Sequence, residues 1–397
     1  MKISRRLQPI RPSATLALTA KAKALAAKGV DVAALTAGEP DFDTPEFIKN
    51  AAIAALNAGF TKYTATAGIP ELRAAICDKL ARDNGLRYAP EQVLVSAGAK
   101  HSFYNFCQAL LNEGDEVIIF APYWVSYPDM VMLAGGSPVI VDTDEGSGYA
   151  PKPEALARAL TPKTRAIVIN SPSNPTGAVL SNSQLRAIAD VARKHDCLIV
   201  SDDIYEKLLY RSEPFANIAN VAPDLLDRVV VINGMSKAYA MTGWRLGYAA
   251  GPKEVIAAMQ LIQDQSTSNT SSISQKAGVA ALQGPRESID RMVQEFRTRR
   301  EIIVSGLNAI DGISCHTPDG AFYVFPRIEK LLDRRYKGER LGGSVRVSDV
   351  LLDDFRVGVV PGLPFGAEGH LRLSFATSPQ TIEKALSRIR EFVASLS

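Results

Sequence analysis

Cysteine and histidine are scarce in this chain, and neither occurs in a spacing that binds a metal ion. The four cysteines lie far apart along 397 residues without a C-x-x-C pair, and the four histidines form no H-x-x-x-H pair. These absences argue against a disulfide framework and give no support to a zinc site. We therefore expect reduced thiols, as in a cytoplasmic protein, and no metal centre.

Long apolar runs, a strong net charge and a dinucleotide-binding motif are also absent. No run approaches the roughly 20 residues of a membrane span. The basic segment 1–11 lacks the apolar stretch of a secretory signal, so we expect a structural arm, with a transit peptide as the alternative. A formal net charge of +3 predicts no nucleic-acid partner. The lack of G-x-G-x-x-G argues against a nicotinamide-dependent dehydrogenase.

Short apolar runs alternate with helix-like segments over residues 70–290. Continuous apolar strands that alternate with helices are typical of a mostly parallel sheet. The expected fold class is α/β: a large domain whose sheet is covered by helices on both faces, plus a smaller α+β domain. The strands predicted for the large domain are residues 93–96, 117–120, 138–141, 166–169, 198–200 and 229–232.

The pattern changes at Ser288, where apolar residues keep a helical spacing for about five turns. This spacing predicts a long helix that leads into the smaller domain. Short strands are predicted beyond it, at 321–325, 357–360 and 370–375. The last strand alternates apolar and polar residues, so we expect it to be antiparallel and half-exposed. The expected division is an N-terminal arm at 1–45 that packs with the small domain, a large domain at 46–287 and a small domain at 288–397.

Polar or glycine-rich segments follow four of the predicted strands. Each alone has an ordinary interpretation as a turn or a helix cap. Because the carboxyl ends of parallel strands meet at one crevice, where open α/β sheets bind ligands, their joint occurrence predicts an active site there. The segments are Ala-Gly-Ala-Lys at 97–100, Asn-Ser-Pro-Ser-Asn-Pro-Thr-Gly at 170–177, Ser-Asp-Asp-Ile-Tyr at 201–205 and the turn that carries Lys237.

Lys237 follows the last of these strands, and Arg245 comes eight residues later. The planar fork of an arginine can hold a phosphate, and small residues that open a helix present N–H groups to an anion. A lysine amine beside a phosphate site suggests a Schiff base with pyridoxal phosphate. An isolated Ser-Lys pair is more often a surface feature, but the surrounding segments favour the catalytic interpretation.

Together these segments resemble the class I/II aminotransferases of the pyridoxal-phosphate-dependent fold-type I family, over essentially the whole chain. The closest resemblance is to the bacterial aspartate aminotransferase subgroup. It is carried by Ala-Gly-Glu-Pro-Asp-Phe-Asp-Thr-Pro at 37–45, Pro-Tyr-Trp-Val-Ser-Tyr-Pro at 122–128 and Ser-Lys-Ala-Tyr-Ala-Met-Thr-Gly-Trp-Arg at 236–245.

The resemblance implies ping-pong transamination between aspartate or glutamate and a 2-oxo acid such as 2-oxoglutarate or oxaloacetate. The alternatives are an aminotransferase with another specificity (alanine, aromatic or prephenate), a pyridoxal-phosphate β-lyase, and a non-catalytic regulator domain that resembles an aminotransferase.

The resemblance also assigns catalytic roles. Lys237 is expected to carry the cofactor as a Schiff base and, once released, to move the substrate proton. Asp202 is expected to pair with the ring nitrogen of pyridoxal phosphate and keep it protonated. Asn174 and Tyr205 are implied to hydrogen-bond the phenolate oxygen of the ring, and Trp124 to stack on the ring.

The phosphate group is implied to bind Arg245, Ser236 and the backbone of Ala99 and Lys100. This chain departs from some relatives three positions before the lysine, where it carries Gly234 instead of a serine. One phosphate-binding hydroxyl is therefore missing, and we expect the affinity to depend more on Arg245.

Substrate recognition and subunit assembly are implied in the same way. Arg372 is expected to bind the substrate α-carboxylate, with the backbone N–H of Gly38. Lys100 and Arg11 are the candidate cations for an acidic side chain, helped by the polar loop 266–272 of a second subunit; Arg11 as a surface residue is the alternative. Tyr63 matches a tyrosine that reaches the phosphate across a dimer interface, which implies a homodimer with shared active sites. Trp124 and Asn174 are expected to contact substrate as well as cofactor.

Overall fold

A computed structural model describes residues 3–12 and 14–397 of the chain. Met1, Lys2 and Ser13, which fall within the predicted N-terminal arm, lie outside the described residues.

The helices over the described residues are α1 (Ala14–Ala27), α2 (Glu46–Asn57), α3 (Pro70–Asn84), α4 (Ala99–Leu110), α5 (Ser126–Leu133), α6 (Pro153–Ala159), α7 (Asn182–Ala192), α8 (Ile218–Val221), α9 (Lys253–Ser266), α10 (Ser272–Gln283), α11 (Glu287–Asn308), α12 (Ser344–Asp353) and α13 (Pro379–Ala394). The strands are β1 (Ala33–Ala34), β2 (Val93–Ser96), β3 (Glu116–Ala121), β4 (Ser137–Asp142), β5 (Thr164–Asn170), β6 (Leu198–Asp202), β7 (Val229–Gly234), β8 (Gly247–Ala250), β9 (Tyr323–Val324), β10 (Arg335–Tyr336), β11 (Glu339–Arg340), β12 (Val357–Gly358), β13 (Val360–Pro361) and β14 (Leu371–Ser374).

A seven-stranded sheet in the order β2-β8-β7-β6-β5-β3-β4 forms the centre of the large domain. The pairs from β4 through β7 are parallel, and β8 runs antiparallel to both of its neighbours. This confirms the α/β fold with a mostly parallel sheet. All six predicted strands are present, so the carboxyl ends of β2, β5, β6 and β7 lie along one edge.

Both faces of the sheet are covered, because successive residues of a strand point to opposite sides. In β7, Val229 and Val231 join the core that includes residues of α3, α7 and α10. Val230 and Ile232 join the core that includes residues of α4, α5 and α9. A strand that is buried on both faces needs an apolar residue at every position, which explains the continuous runs in the sequence.

The sequence did not predict β8, the seventh strand. Its residues Gly-Tyr-Ala-Ala include three small ones and no β-branched one, unlike the other strands of the sheet. Small residues are required here: a Cβ added to Gly247 would lie 2.4 Å from the amide nitrogen of Ala99, at the start of α4. The strand therefore packs closely against the turn that begins α4, and tertiary packing requires glycine at position 247.

The C-terminal part contains a second core around α11, α12, α13 and the three-stranded sheet β13-β14-β9. The N-terminal segment is tied to it, because β1 pairs in parallel with β12 and Lys384 donates a hydrogen bond of 2.8 Å to Asp31. These contacts support the division at 1–45, 46–287 and 288–397, which stays a prediction.

The strand predicted at 370–375 is antiparallel but not half-exposed. Every residue of β14 is buried, including Arg372 at 2% and Ser374 at 1% exposure. The expectation of exposure was wrong because the polar residues of this strand face protein groups and the cavity described below, not bulk solvent.

All four cysteines carry free thiols. Among the described residues, no helix combines the length and hydropathy needed to cross a membrane, and no cluster of three or more histidine, cysteine or acidic side chains could hold a metal ion.

Candidate active site

A cavity of about 470 Å³ opens at the carboxyl ends of β2, β5, β6 and β7. It collects most of the side chains that the sequence predicted to be functional. Those that line it are Gly38, Ala99, Lys100, Trp124, Asn174, Asp202, Tyr205, Ser236, Lys237, Arg245 and Arg372.

Two predicted residues do not line this cavity. Tyr63 is 92% exposed, in the segment that follows α2. Arg11 is also exposed. Burial raises the pKa of Asp129, and the nearby charges of Lys100 and Arg11 act in the opposite direction. A single chain therefore leaves both residues outside the cavity, and their roles stay predictions.

Lys237 places its amine at the centre of the cavity wall. Its Nζ donates a hydrogen bond to the backbone oxygen of Gly38 and lies 5.9 Å from the ring centre of Tyr205. Burial lowers the pKa of the Lys237 amine to about 8, although the nearby carboxylate of Glu39 opposes the shift. The neutral, nucleophilic form is therefore far more populated near pH 7 than for an ordinary lysine.

Asp202, the last residue of β6, presents a buried carboxylate to the same cavity. Tyr127 donates its hydroxyl to Oδ2 at 2.5 Å, and the backbone N–H of Ile204 donates to Oδ1 at 3.2 Å. Burial raises the pKa of Asp202 to about 6, and these two hydrogen bonds act in the opposite direction. A carboxylate with so few donors is suited to a cationic partner in the cavity.

Arg372 is a buried cation without a carboxylate partner. Its Nη1 donates to Asn174 Oδ1 at 3.1 Å, and its Nη2 donates to the backbone oxygen of Thr36 at 2.8 Å. No described residue accepts a hydrogen bond from its Nε or forms an ion pair with it. Because an unpaired buried guanidinium is costly, this arrangement fits a site for a carboxylate ligand.

Two tyrosines hold the wall between Lys237 and Arg372. The hydroxyls of Tyr205 and Tyr323 lie 2.9 Å apart, and the guanidinium of Arg372 lies 4.6 Å from the ring centre of Tyr323. A Cβ added to Gly38 would approach the Tyr323 hydroxyl to 3.3 Å. Glycine at position 38 thus keeps its backbone accessible at the cavity.

An anion cradle forms where α4 begins. Arg245 adopts a left-handed backbone conformation with φ of 54°, and its guanidinium donates to the backbone oxygens of Thr242 at 2.8 Å and Ala97 at 3.2 Å. At Gly98, with φ of 90°, a Cβ would lie 2.6 Å from Arg245 Nη2. The open helix N-terminus and the guanidinium therefore face the same space, which suits a phosphate.

Steric crowding explains why position 234 carries glycine and not serine. A Cβ there would lie 2.9 Å from the Cα of Gly247 and 2.9 Å from the backbone oxygen of Leu246. The close pairing of β7 with β8 thus excludes a side chain at this position unless β8 shifts.

Lys100 and Trp124 form the side of the cavity nearest α5. The Lys100 Nζ lies 4.9 Å from the ring centre of Trp124, and the edge of Trp124 packs against Tyr127 with ring centres 5.1 Å apart. Burial first, and the positive charge of Arg245 second, lower the pKa of Lys100. An anion would relieve this unfavourable proximity of two cations.

Sequence reasoning missed several residues of the cavity. Tyr127 and Glu39 stand inside the family-like segments but had no assigned role, and Tyr323 and Thr242 had none either. Thr19 and Lys23 of α1 gave no signal, because a helical lysine is ordinarily a solvated residue. The residues missed are Thr19, Lys23, Ala37, Glu39, Val125, Ser126, Tyr127, Asn170, Ile204, Thr242 and Tyr323.

Comparisons with known proteins identify the family to which the chain belongs. Residues 30–389 match the family described as aminotransferase class I and II. An aspartate/prephenate aminotransferase of Nitrosomonas europaea is 48% identical over 397 residues, which covers 99% of this chain and 100% of the relative. An aspartate aminotransferase of Geobacillus stearothermophilus is 48% identical, with 99% of each chain covered.

Solved structures give the same result. The aspartate aminotransferase from Rhizobium meliloti matches with a TM-score of 0.96 at 44% identity, covering 100% of both chains. The aspartate aminotransferase from Thermus thermophilus with maleate matches with a TM-score of 0.92 at 47% identity, covering 98% of this chain and 99% of that one. The chain therefore belongs to the class I and II aminotransferases.

Proposed function

We propose that this aminotransferase uses pyridoxal phosphate to transfer the amino group between aspartate or glutamate and a 2-oxo acid. One observation carries the proposal. The cavity holds a lysine amine of lowered pKa between a buried carboxylate, an anion cradle and a buried guanidinium without a carboxylate partner. The names of the relatives support the choice of aspartate.

The residues present fit pyridoxal phosphate. The cradle of Arg245 and the α4 N-terminus suits the phosphate, with Ser236 beside it, and Asp202 suits a protonated ring nitrogen. Trp124 offers an aromatic face, and Tyr205 and Asn174 offer donors for the phenolate oxygen. When bound, the cofactor supplies an electron sink for the bond that breaks at the substrate α-carbon.

Lys237 has two roles in this proposal. Its neutral amine attaches the cofactor before substrate arrives. After substrate has replaced it, Nζ would take the proton from the substrate α-carbon and deliver it to the cofactor, which is the 1,3 proton shift that transamination requires. The low pKa of Lys237 suits both roles, because the amine must take up and release a proton near neutral pH.

Arg372 orients every substrate. Its fork accommodates both oxygens of an α-carboxylate, and the hydrogen bond from Nη1 to Asn174 fixes the guanidinium in the cavity. Holding the carboxylate fixes the amino group toward Lys237, and such orientation is a large part of catalysis.

Lys100 distinguishes acidic donors from neutral ones. Lys100→Ala is expected to lower kcat/KM for aspartate more than for alanine, by roughly the 1.5–3 kcal/mol of a charged hydrogen bond. Arg372→Ala is the contrasting variant, which is expected to lower kcat/KM for both donors alike. Both are assayed at saturating pyridoxal phosphate, since Lys100 adjoins the phosphate cradle. An equal loss for both donors in Lys100→Ala would place the side-chain cation elsewhere.

The buried carboxylate of Asp202 makes the cofactor-free protein less stable as pH rises. Its pKa is raised from 3.8 to about 6 in the folded chain. Stability from this group is therefore complete below about pH 4 and is lost as pH rises to about 6, a cost of about 3 kcal/mol at pH 8. We expect cofactor-free Asp202→Asn to match the parent protein at pH 4 and to exceed its unfolding free energy at pH 8. Urea unfolding at both pH values measures this, and a difference independent of pH refutes it.

We also propose a homodimer in which Tyr63 binds the phosphate held by the partner subunit. Tyr63 is almost fully exposed in the single chain, and Ile53 and Leu56 of α2 are 55% and 52% exposed nearby in sequence. Such apolar exposure is typical of an interface. Sedimentation at assay concentrations is expected to give a dimer, with activity and cofactor retention lost together on dilution. A fully active, cofactor-loaded monomer rules the arrangement out.

Prephenate is a second candidate amino acceptor. The name of the Nitrosomonas europaea relative includes prephenate, and Arg11 supplies a cation near Asp129 at the edge of α5. An acceptor panel of 2-oxoglutarate, oxaloacetate and prephenate tests it. We further propose a cytoplasmic location, which the four free cysteines support.

A further inference from the structure

Helix α1 packs on the small domain and reaches the mouth of the cavity. Leu18 packs against the cluster of Phe325, Val360 and Phe365. Thr19 donates a hydrogen bond of 3.0 Å to Thr36, just before the segment that carries Gly38. Because these contacts fix the helix, its cavity-facing side chains have a defined position.

Lys23 is one of those side chains. It lines the cavity together with Thr19, one helical turn away, and Lys100 of α4 lines the same cavity. Lys21, on the same helix, forms a salt bridge of 2.8 Å with Asp353. Lys23, in contrast, forms no hydrogen bond or ion pair with any residue that the structure describes. Its ammonium is therefore available to a ligand.

Two cations of the cavity have no partner assigned to them by the proposed binding of the cofactor phosphate and the substrate α-carboxylate. Among the described residues that line it, five cations face two carboxylates: Lys23, Lys100, Lys237, Arg245 and Arg372 against Glu39 and Asp202. The phosphate is matched by Arg245 and the α-carboxylate by Arg372, while Lys237 attaches the cofactor. Lys23 and Lys100 remain, and both line the cavity, where either could meet a further anionic group of a bound substrate.

We propose that Lys23 is a specificity-determining residue that binds the distal carboxylate of a dicarboxylic substrate from the side of α1, together with Lys100. This inference rests on the proposed function. Two lysines from different elements can share a carboxylate of either aspartate or glutamate, because a flexible ammonium adapts to side-chain length better than a rigid fork does. Alanine has no group for Lys23 to bind.

The direct test is Lys23→Met, which keeps most of the apolar stem and removes the charge. We expect KM for aspartate and glutamate to rise about fivefold to tenfold with little change in kcat. The KM for alanine is expected to change less than twofold. Lys28→Met is the matched control, because Lys28 is an exposed lysine just beyond α1 that does not line the cavity. Lys23→Arg, which keeps the charge, is expected to keep KM for aspartate and glutamate close to that of the parent protein.

Binding measured without turnover separates the role of Lys23 from the proposed preference for acidic donors. Titration of the cofactor-loaded protein with succinate and with propionate compares a dicarboxylate with a monocarboxylate. Lys23→Met is expected to weaken the binding of succinate about fivefold to tenfold and to leave the binding of propionate unchanged. Unchanged succinate binding overturns the role of Lys23 whatever the donor panel gives. A parent protein that transaminates alanine as well as aspartate overturns the proposed specificity instead, and the succinate titration still decides the role of Lys23.

Discussion

Replacing Lys237 by alanine is expected to lower turnover by at least about 10⁴-fold, because the variant loses both the nucleophile that attaches the cofactor and the group that moves the substrate proton. The fold should persist, since the side chain of Lys237 forms a single hydrogen bond with the described residues, to a backbone oxygen at the cavity wall. Lys276→Ala is a suitable control. Lys276 pairs with Glu71 on the protein surface and does not line the cavity.

Chemical labelling identifies the attachment site independently of rate. Borohydride treatment of the parent protein with bound pyridoxal phosphate is expected to fix the cofactor to the peptide that contains Lys237. The Lys237→Ala variant should yield no labelled peptide. Label on Lys100 or Lys23, the other lysines of the cavity, would contradict the assignment.

Removing the carboxylate of Asp202 is expected to have the second largest effect. Asp202→Ala should bind the cofactor and keep the fold, yet lose about 3 kcal/mol or more of transition-state stabilisation, since the variant lacks the preorganised charge that we propose as the partner of the ring nitrogen. The variant's kcat/KM for aspartate measures this at saturating pyridoxal phosphate. Near-normal turnover would refute the role.

The neighbouring Asp203 offers a matched control. It is equally buried, but its carboxylate accepts hydrogen bonds from Ser201 at 2.6 Å and Asn217 at 2.7 Å, and it does not line the cavity. Asp203→Asn is expected to retain turnover. A loss in Asp203→Asn as large as that in Asp202→Ala would indicate that the turn as a whole, and not the charge of Asp202, is required.

The sequence predicted which residues gather at the cavity where these residues lie at, or just beyond, the end of a buried strand. Asp202 ends β6, and Lys237 follows β7, so parallel topology alone brings them to one edge. Arg372 was different: its strand lies in the small domain, and only the resemblance to the family predicted its role. The structure places it beside Asn174.

The features that sequence could not predict arise from contacts between distant elements. Tyr127 reaches Asp202 across 75 positions of the chain, and Tyr323 reaches Tyr205 across 118. A buried tyrosine in a sequence is first of all a core residue, and its hydroxyl partner depends on packing. Lys23 was missed for a similar reason, because the position of α1 over the cavity is a tertiary property. The role that we propose for Tyr63 depends on a second subunit, which a single chain does not show.

The most direct test of the central claim is an absorbance titration of the protein with bound pyridoxal phosphate. Aspartate alone is expected to abolish the absorbance band near the visible edge in a single half-reaction. Addition of 2-oxoglutarate should then restore the band and yield glutamate in equal amount. Alanine at the same concentration should act much more slowly. A protein whose band does not respond to aspartate, or responds without being restored by any 2-oxo acid, would contradict the assignment as an aspartate transaminase.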